Sequence, residues 1–428
     1  MGKHKVWACL LLSLVLVLSA CQSGTAPEGD AAYRNHFTEE EKNNGIANFE
    51  LMKNVTVDAK ITPTEKYRSG LKKYYMEHYF EAGKDTDNRE KFKKDLRLYG
   101  KKLPEIQKLI EKELDGKFVG KPKFENEDDY TEMGDIDLSQ NFQRGDDSYE
   151  FWADWYFDGP WQKETRRFSC PSLSIRIPQE DTSNIAENIM RFCPGYKNFQ
   201  TPFIKDREAQ AEKLRSFLEK LTGRKIADEW DFIPVTAEAV KKTEDTVKHS
   251  YIHSKSEEDY GIFWFYADVA GLPFLDLQLQ YNMKEGETAD KVAHAGSASD
   301  TSATLLALSE PKQAVRVSRK GITKLNISHY RMEGEIYKDS TEVLNPDKIL
   351  ERIEKYYSRL LLTSPITVTD IRLAYTGYFT DGSEGEIQPS IAPFWVVNVY
   401  VGGELGTAQF VYDAFTGEAV REGVQSIC

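Results

Sequence analysis

The stretch Asn345-Pro346-Asp347-Lys348-Ile349-Leu350-Glu351-Arg352-Ile353-Glu354-Lys355-Tyr356-Tyr357-Ser358-Arg359-Leu360 decides the reading of the fold. Asn345 is a good helix cap and Pro346 a good first helical residue, because proline lacks the N–H that a first turn leaves unpaired. Ile349, Ile353, Tyr356 and Leu360 then fall on one helical stripe. Three apolar, β-branched and aromatic runs follow, Thr367 to Tyr378, Pro393 to Val401 and Thr407 to Asp413. Neither a one-faced helix nor a one-faced sheet can bury its apolar side alone. The segment therefore predicts an α+β layer, a C-terminal helix followed by a three-stranded antiparallel meander, with the helix stripe on the sheet.

Upstream, the pattern alternates between helices and antiparallel hairpins. Ile106, Leu109, Ile110 and Leu114 mark one face of a helix after Leu103-Pro104, and Leu214, Phe217, Leu218 and Leu221 mark another that ends at Thr222-Gly223. Tyr149 to Phe157 and Tyr260 to Ala270 are dense in aromatic residues and read as strands, and Leu173, Ile175 and Ile177 alternate with polar residues. Leu275, Leu277, Leu279 and Tyr281 alternate in the same way. An acidic run from about Glu125 to Asp147 reads as a linker. These shifts divide the chain into a leader over residues 1–20, a tether over 21–48, an N-terminal helical region with an acidic linker over 49–147, a central α+β domain over 148–304 and a C-terminal α+β module over 305–428. Antiparallel sheets with packed helices are expected throughout.

The N-terminus gives an address. Lys3 and Lys5 precede an apolar run from Val6 to Leu18, too short to span a bilayer and long enough for a signal-peptide core. Leu18-Ser19-Ala20-Cys21 then resembles the lipobox of bacterial lipoproteins. The resemblance implies cleavage before Cys21, lipidation of its sulfur, and attachment of the chain to the extracytoplasmic face of the cell membrane.

A second resemblance lies at the other end. Phe410-Val411-Tyr412-Asp413-Ala414-Phe415-Thr416-Gly417-Glu418 is similar to the strand-turn ending of PepSY domains and of YycH/YycI-type extracytoplasmic modules. Ala392-Pro393-Phe394-Trp395-Val396-Val397 is similar to their penultimate strand, over a region of about residues 310–420. The chain as a whole resembles uncharacterised lipoproteins of clostridia-like bacteria. In physical terms Asp413 can accept backbone N–H groups two residues on, and Gly417 can take positive φ, so this turn is structural.

Composition narrows the partners. The 428 residues carry 56 basic against 69 acidic side chains, a net charge of −13. Such a surface is repelled by phosphate backbones, so nucleic acid is not an expected partner. Of five cysteines, Cys9 leaves with the leader and Cys21 takes the lipid. Cys170, Cys193 and Cys428 allow three single bridges, between which sequence does not choose. Cys170 with Cys193 is favoured, since they flank one strand-helix unit and each adjoins a proline.

No phosphate loop, nucleophile elbow, paired-cysteine, zinc-protease or EF-hand motif occurs. His249 and His253 stand four apart, but two histidines leave a metal short of ligands, and no metal or other cofactor is expected. Trp152, Trp155 and Trp161, with Asp154 and Asp158, are the candidate ligand-binding residues, since rings beside carboxylates suit sugars. Against this, an alternating aromatic strand packs a core, and residues three apart on a strand point to opposite faces. The expectation is a lipid-anchored, non-catalytic protein that binds an envelope protein or peptide partner. The alternatives are a carbohydrate- or peptide-binding lipoprotein of a transporter, and an envelope hydrolase.

Overall fold

The computed structural model describes residues 36–76, 103–125, 136–156, 172–177, 183–193, 195–246, 259–275, 312–330, 333–381, 387–402 and 405–425. Its C-terminal helix, Pro346–Tyr357, is capped by the Asn345 side chain, which accepts from the Asp347 N–H at 3.0 Å. Ile349, Leu350, Ile353 and Tyr357 are its buried stripe, and Tyr356 sits edge-on to Phe410 with ring centroids 5.0 Å apart. The helix ends three residues before Leu360, which is half exposed, so the apolar stripe stops a turn earlier than the spacing suggests. Leu350 and Tyr357 take up the burial instead.

Beneath this helix lie four antiparallel strands, one more than the meander expected: β14 (Ile366–Asp381), β15 (Ile387–Gly402), β16 (Gly406–Asp413) and β17 (Ala419–Gln425). The turn between β16 and β17 is built as its residues require. Asp413 Oδ1 accepts the N–H groups of Phe415 and Thr416, each at 2.9 Å, and Gly417 takes φ of 67°.

The N-terminal region joins the same sheet. A short helix, α1 (Glu39–Asn44), opens with a capping box between Thr38 and Glu41 and closes on Gly45 at φ of 70°. A side chain there would stand 2.8 Å from the Ile61 carbonyl oxygen. Strands β1 (Ile46–Met52) and β2 (Val55–Ile61) follow as a hairpin, and β2 runs parallel to β14. Strand β3 (Leu71–Met76) lies between β15 and β13 (Glu333–Thr341). So residues 46–76 hold three strands with a 3-10 turn at Thr64–Lys66 between β2 and β3, where a helical region was expected from residue 49. The alternation Val55, Val57, Ala59, Ile61 buries one face of β2 and is the local cause.

Among the described residues the second sheet has nine strands. Its antiparallel path runs β9 (Tyr260–Val269), β11 (Lys312–Ser318), β12 (Gly321–Tyr330), β7 (Ser172–Ile177), β6 (Asp147–Tyr156), β5 (Ile136–Arg144) and β4 (Lys117–Glu125). Strand β8 (Ile226–Val235) and the two-residue β10 (Leu272–Pro273) pair with β9. One face packs on the helix over residues 103–114 (α2), through Ile106, Ile110 and Leu114, and on α4 (Arg207–Thr222), through Leu214, Phe217, Leu218 and Leu221. On the other face, α3 (Ser183–Phe192), which precedes α4, and α5 (Ala237–Thr246), which follows it, cover Ile233, Ile262 and Trp264. The final helix, Pro346–Tyr357, is α6.

Sheet membership cuts across the segments read from the sequence. Strands β2 and β3 pair with strands 257 to 317 positions away, while 312–330 pair with the sheet of 117–177 and 226–273. From His36 onward the chain forms one compact unit, so no sheet boundary falls at residue 148 or 305. The alternation at Leu275 to Tyr281 lies outside the described residues beyond Leu275. Among the described residues no helix is long and apolar enough to cross a membrane.

The α6 stripe gives a direct test of this packing. Ile353 is fully buried, so Ile353→Ala should cost roughly 2–5 kcal/mol in urea unfolding. Leu361, 93% exposed just past the helix, should tolerate alanine within about 0.5 kcal/mol. Equal midpoints for the two variants would mean that α6 does not carry the core.

Candidate functional site

The two sheets meet at a buried cluster of charges, and a strand irregularity puts it there. Along β14 the side chains on the α6 face are Ile366 and Val368, then Ile371, Leu373 and Tyr375. The step from Val368 to Ile371 is odd, and both ladders of β14 shift register between Val368 and Asp370. Such a bulge adds one residue and reverses the phase of everything after it. Asp370 and Arg372 are thereby turned away from α6, toward β8 and β9.

Arg372 reaches across to Asp231 of β8 with both terminal nitrogens. Nη1 lies 3.2 Å from Oδ2 and Nη2 lies 3.4 Å from Oδ1. Tyr266 of β9 donates its hydroxyl to Asp231 Oδ2 at 2.6 Å, and Lys197 Nζ stands 3.5 Å from Oδ1. On its own strand, Arg372 Nε lies 3.2 Å from Asp370 Oδ2. Asp231, Asp370 and Tyr266 are all buried. One guanidinium thus serves two carboxylates, and it serves them unequally.

The inequality shows in the protonation of the pair. Burial by itself would raise Asp231, but Arg372, Lys197 and the Tyr266 hydroxyl outweigh it and hold the carboxyl well below the usual range. Burial also raises Asp370, and there Arg372 and Lys197 offset only part of it, so its pKa stays above the ordinary value. Arg372 is lowered by burial, yet Asp231 and Asp370 push it well above its usual value, so it keeps its charge. Tyr266 is pushed up by burial and then by Asp231, and stays a donor. Next along β8, Glu229 is raised by burial, and its Oε2 is buried without a hydrogen-bond partner.

Three further links close the junction. Val269, Leu272 and Phe274, from the β9–β10 hairpin of the second sheet, pack into the core under α6. The Leu275 N–H donates to the Tyr375 carbonyl oxygen at 2.8 Å. Lys66 donates to Asp228 Oδ2 at 2.7 Å. Chemically the cluster is a lock: every strong donor in it faces a carboxylate, and it fixes where β14 lies against β8.

The residues named from sequence fall elsewhere. Trp152 is half-buried on β6, opposite Ser139 and Arg176 in register, on the face away from its buried neighbour Phe151. Trp155 stands three positions on along the same strand, opposite Ile136 and Leu173 in register. Trp161 lies outside the described residues, as do Cys21, Cys170, His249 and His253. Cys193 is buried with a free thiol, which burial pushes up. No group of three or more metal-ligating side chains occurs among the described residues. The junction itself was missed from sequence. Its signal is the phase break between Val368 and Ile371, legible only if Asp370 and Arg372 are then asked where their charges go.

No protein-family model and no curated protein matches the chain. Among solved structures it is similar to an uncharacterised protein from Eubacterium rectale ATCC 33656, with a TM-score of 0.50 at 15% identity, covering 88% of this chain and 94% of that one. That source agrees loosely with the resemblance to uncharacterised clostridial proteins. It is also similar to the Bacillus megaterium YpeB C-terminal domain, with a TM-score of 0.30 at 11% identity over 75% of this chain and 96% of that one. At these identities the likeness to the Eubacterium protein concerns fold alone, and the second overlay is too loose to carry more.

The two carboxylates should respond oppositely to substitution. Asp231→Asn leaves a buried guanidinium short of its main partner and should cost roughly 3–5 kcal/mol. Asp370→Asn removes the carboxylate that burial disfavours. Because the folded pKa of Asp370 is raised, its charged form destabilises the fold once pH rises above about 4, where the unfolded chain has already lost the proton. The stability of Asp370→Asn relative to the parent should therefore improve from pH 4 to pH 7. Urea melts across that range check both; a parallel loss in the two variants would refute the assigned asymmetry.

Proposed function

We propose that the protein is a lipid-anchored, extracytoplasmic, non-catalytic protein that binds an envelope protein or peptide partner close to the membrane. The observation that carries this reading is the way the folded body begins. The His36 and Phe37 N–H groups donate to Asp347 Oδ1 at 2.7 and 2.9 Å, and Lys42 Nζ lies 2.8 Å from Asp347 Oδ2. Asp347, Phe37 and Lys42 are buried. The first described residues are thus fastened to the N-terminus of α6. From Cys21 to His36 the chain reaches no further than roughly 50 Å even when fully extended, at about 3.3–3.6 Å per residue. A partner met by this body would be met near the membrane surface.

Two features support binding over chemistry. The most heavily charged buried cluster, at Asp231 and Arg372, is engaged internally. The two large sheets are almost wholly antiparallel, whereas a transporter's binding component is built from two lobes of repeated strand-helix units. The anchor itself supplies stable attachment if two acyl chains are present, at about 0.8 kcal/mol per buried CH₂. Cys21→Ala should abolish processing and release the protein from the membrane fraction. If the variant is processed and sediments with membranes as the parent does, the anchoring reading fails.

A further inference from the structure

The eight-stranded sheet ends in β1, which pairs with β2 on one side and with no strand on the other among the described residues. The Gly45 carbonyl accepts from the Ile61 N–H at 2.8 Å, one step ahead of the Ile46–Lys60 pair. In an antiparallel ladder, residues whose main-chain groups face the neighbour alternate with residues whose groups face away. Ala47 and Phe49 therefore face β2. The N–H and C=O groups of Ile46, Asn48 and Glu50 point outward. The side chains of those three residues are exposed, Ile46 at 63%.

Free edges invite unwanted pairing, and proteins usually blunt them with lysine, proline or bulges. The other edges here are blunted. Strand β4 carries Lys117, Lys121, Pro122 and Lys123 and breaks register between Val119 and Lys123. Strand β8 breaks register between Ile226 and Trp230 and contains Pro234. Strand β13 breaks register three times and β17 twice. In contrast β1 pairs without interruption from Ile46 to Glu50, its one register shift falling at the far end between Glu50 and Met52, and Ile46–Met52 contains no proline, lysine or arginine. Among the described residues, a five-residue edge left regular beside blunted ones marks a surface suited to take a strand.

Charge specifies the strand. The exposed charges of α1 and the β1–β2 hairpin are Glu39, Glu40, Glu50 and Asp58 against Lys53 and Lys60, on a chain of net charge −13. A second copy of the same acidic surface is a poor complement, and a cationic segment is a good one. We propose that the outer edge of β1 docks an extended, basic polypeptide segment of the partner, which adds as a further strand through the main-chain groups of Ile46, Asn48 and Glu50. This rests on the partner-binding reading above and names the surface it uses.

The test is hydrogen–deuterium exchange on the full-length protein with a capped decapeptide of alternating lysine and valine, and with its glutamate–valine counterpart. The basic probe should slow exchange over residues 46–50 and the acidic probe should not. Asn48→Pro deletes one outward N–H and leaves the inward ladder to β2 in place, so it should weaken the basic probe at least tenfold at an unchanged urea midpoint. Should that variant not fold, Asn48→Lys keeps the N–H and adds a repelling charge, and it too should bind the probe more weakly. The proposal is overturned if the basic probe leaves residues 46–50 unprotected, or if the folded variants bind it as the parent does. It is equally overturned if protection grows with protein concentration in the absence of probe, because the edge then pairs two copies. Membrane fractionation of Cys21→Ala reads the anchor independently, so failure of one test does not imply failure of the other.

Discussion

The single extra residue at Thr369 lets one strand serve two interfaces. Before it, Ile366 and Val368 face α6; after it, Ile371, Leu373 and Tyr375 do so. The apolar layer is continuous across the bulge, and the price is a phase break that sends Asp370 and Arg372 to the opposite side. Without a second sheet there, Arg372 would be a charge on a face that also buries Ala374, Phe394 and Val396. Strand β8 supplies Asp231 at the matching position, and the bidentate contact fixes the angle and register at which the two sheets meet.

Specificity and stability divide differently at this junction. Most of the favourable free energy comes from burying Val269, Leu272 and Phe274 under α6, which is non-directional. The ionic contact is directional, and desolvation cancels much of its attraction. Its worth lies in rejecting other docking positions, since any shift strands Arg372 or Asp231 without a partner. Asp370 is the unfavourable member, kept buried beside a guanidinium already committed elsewhere. That placement follows from its position two residues before Arg372 on the same strand, where the alternation gives it no other face.

Local signals are legible in the sequence, and non-local ones are not. The α6 cap at Asn345, the α4 stripe ending at Gly223 and the Asp413 turn all depend on residues within a few positions of one another. Sheet membership depends on partners hundreds of positions apart. Val55 to Ile61 alternates as clearly as any strand in the chain, yet nothing in it announces a parallel pairing with Ile366 to Ile371. The lock was illegible for the same reason: Asp231 and Arg372 are separated by 141 positions, and each alone reads as a surface charge. The tryptophans drew attention by residue type, whereas the residues that organise the molecule are common ones made unusual by burial.

The Asp347 clasp has a mechanical consequence. A pull on the chain from the side before His36 arrives first at two main-chain hydrogen bonds and one ion pair, all converging on a single carboxylate that is seated in the first turn of α6. Behind them stand Phe37, buried against the ring of Phe49, and the capped helix α1. Strand β1 is therefore shielded from being peeled off β2 by tension from the chain before His36. The outer edge of the sheet keeps its shape while the molecule is tugged, and a strand laid on that edge would not feel the load.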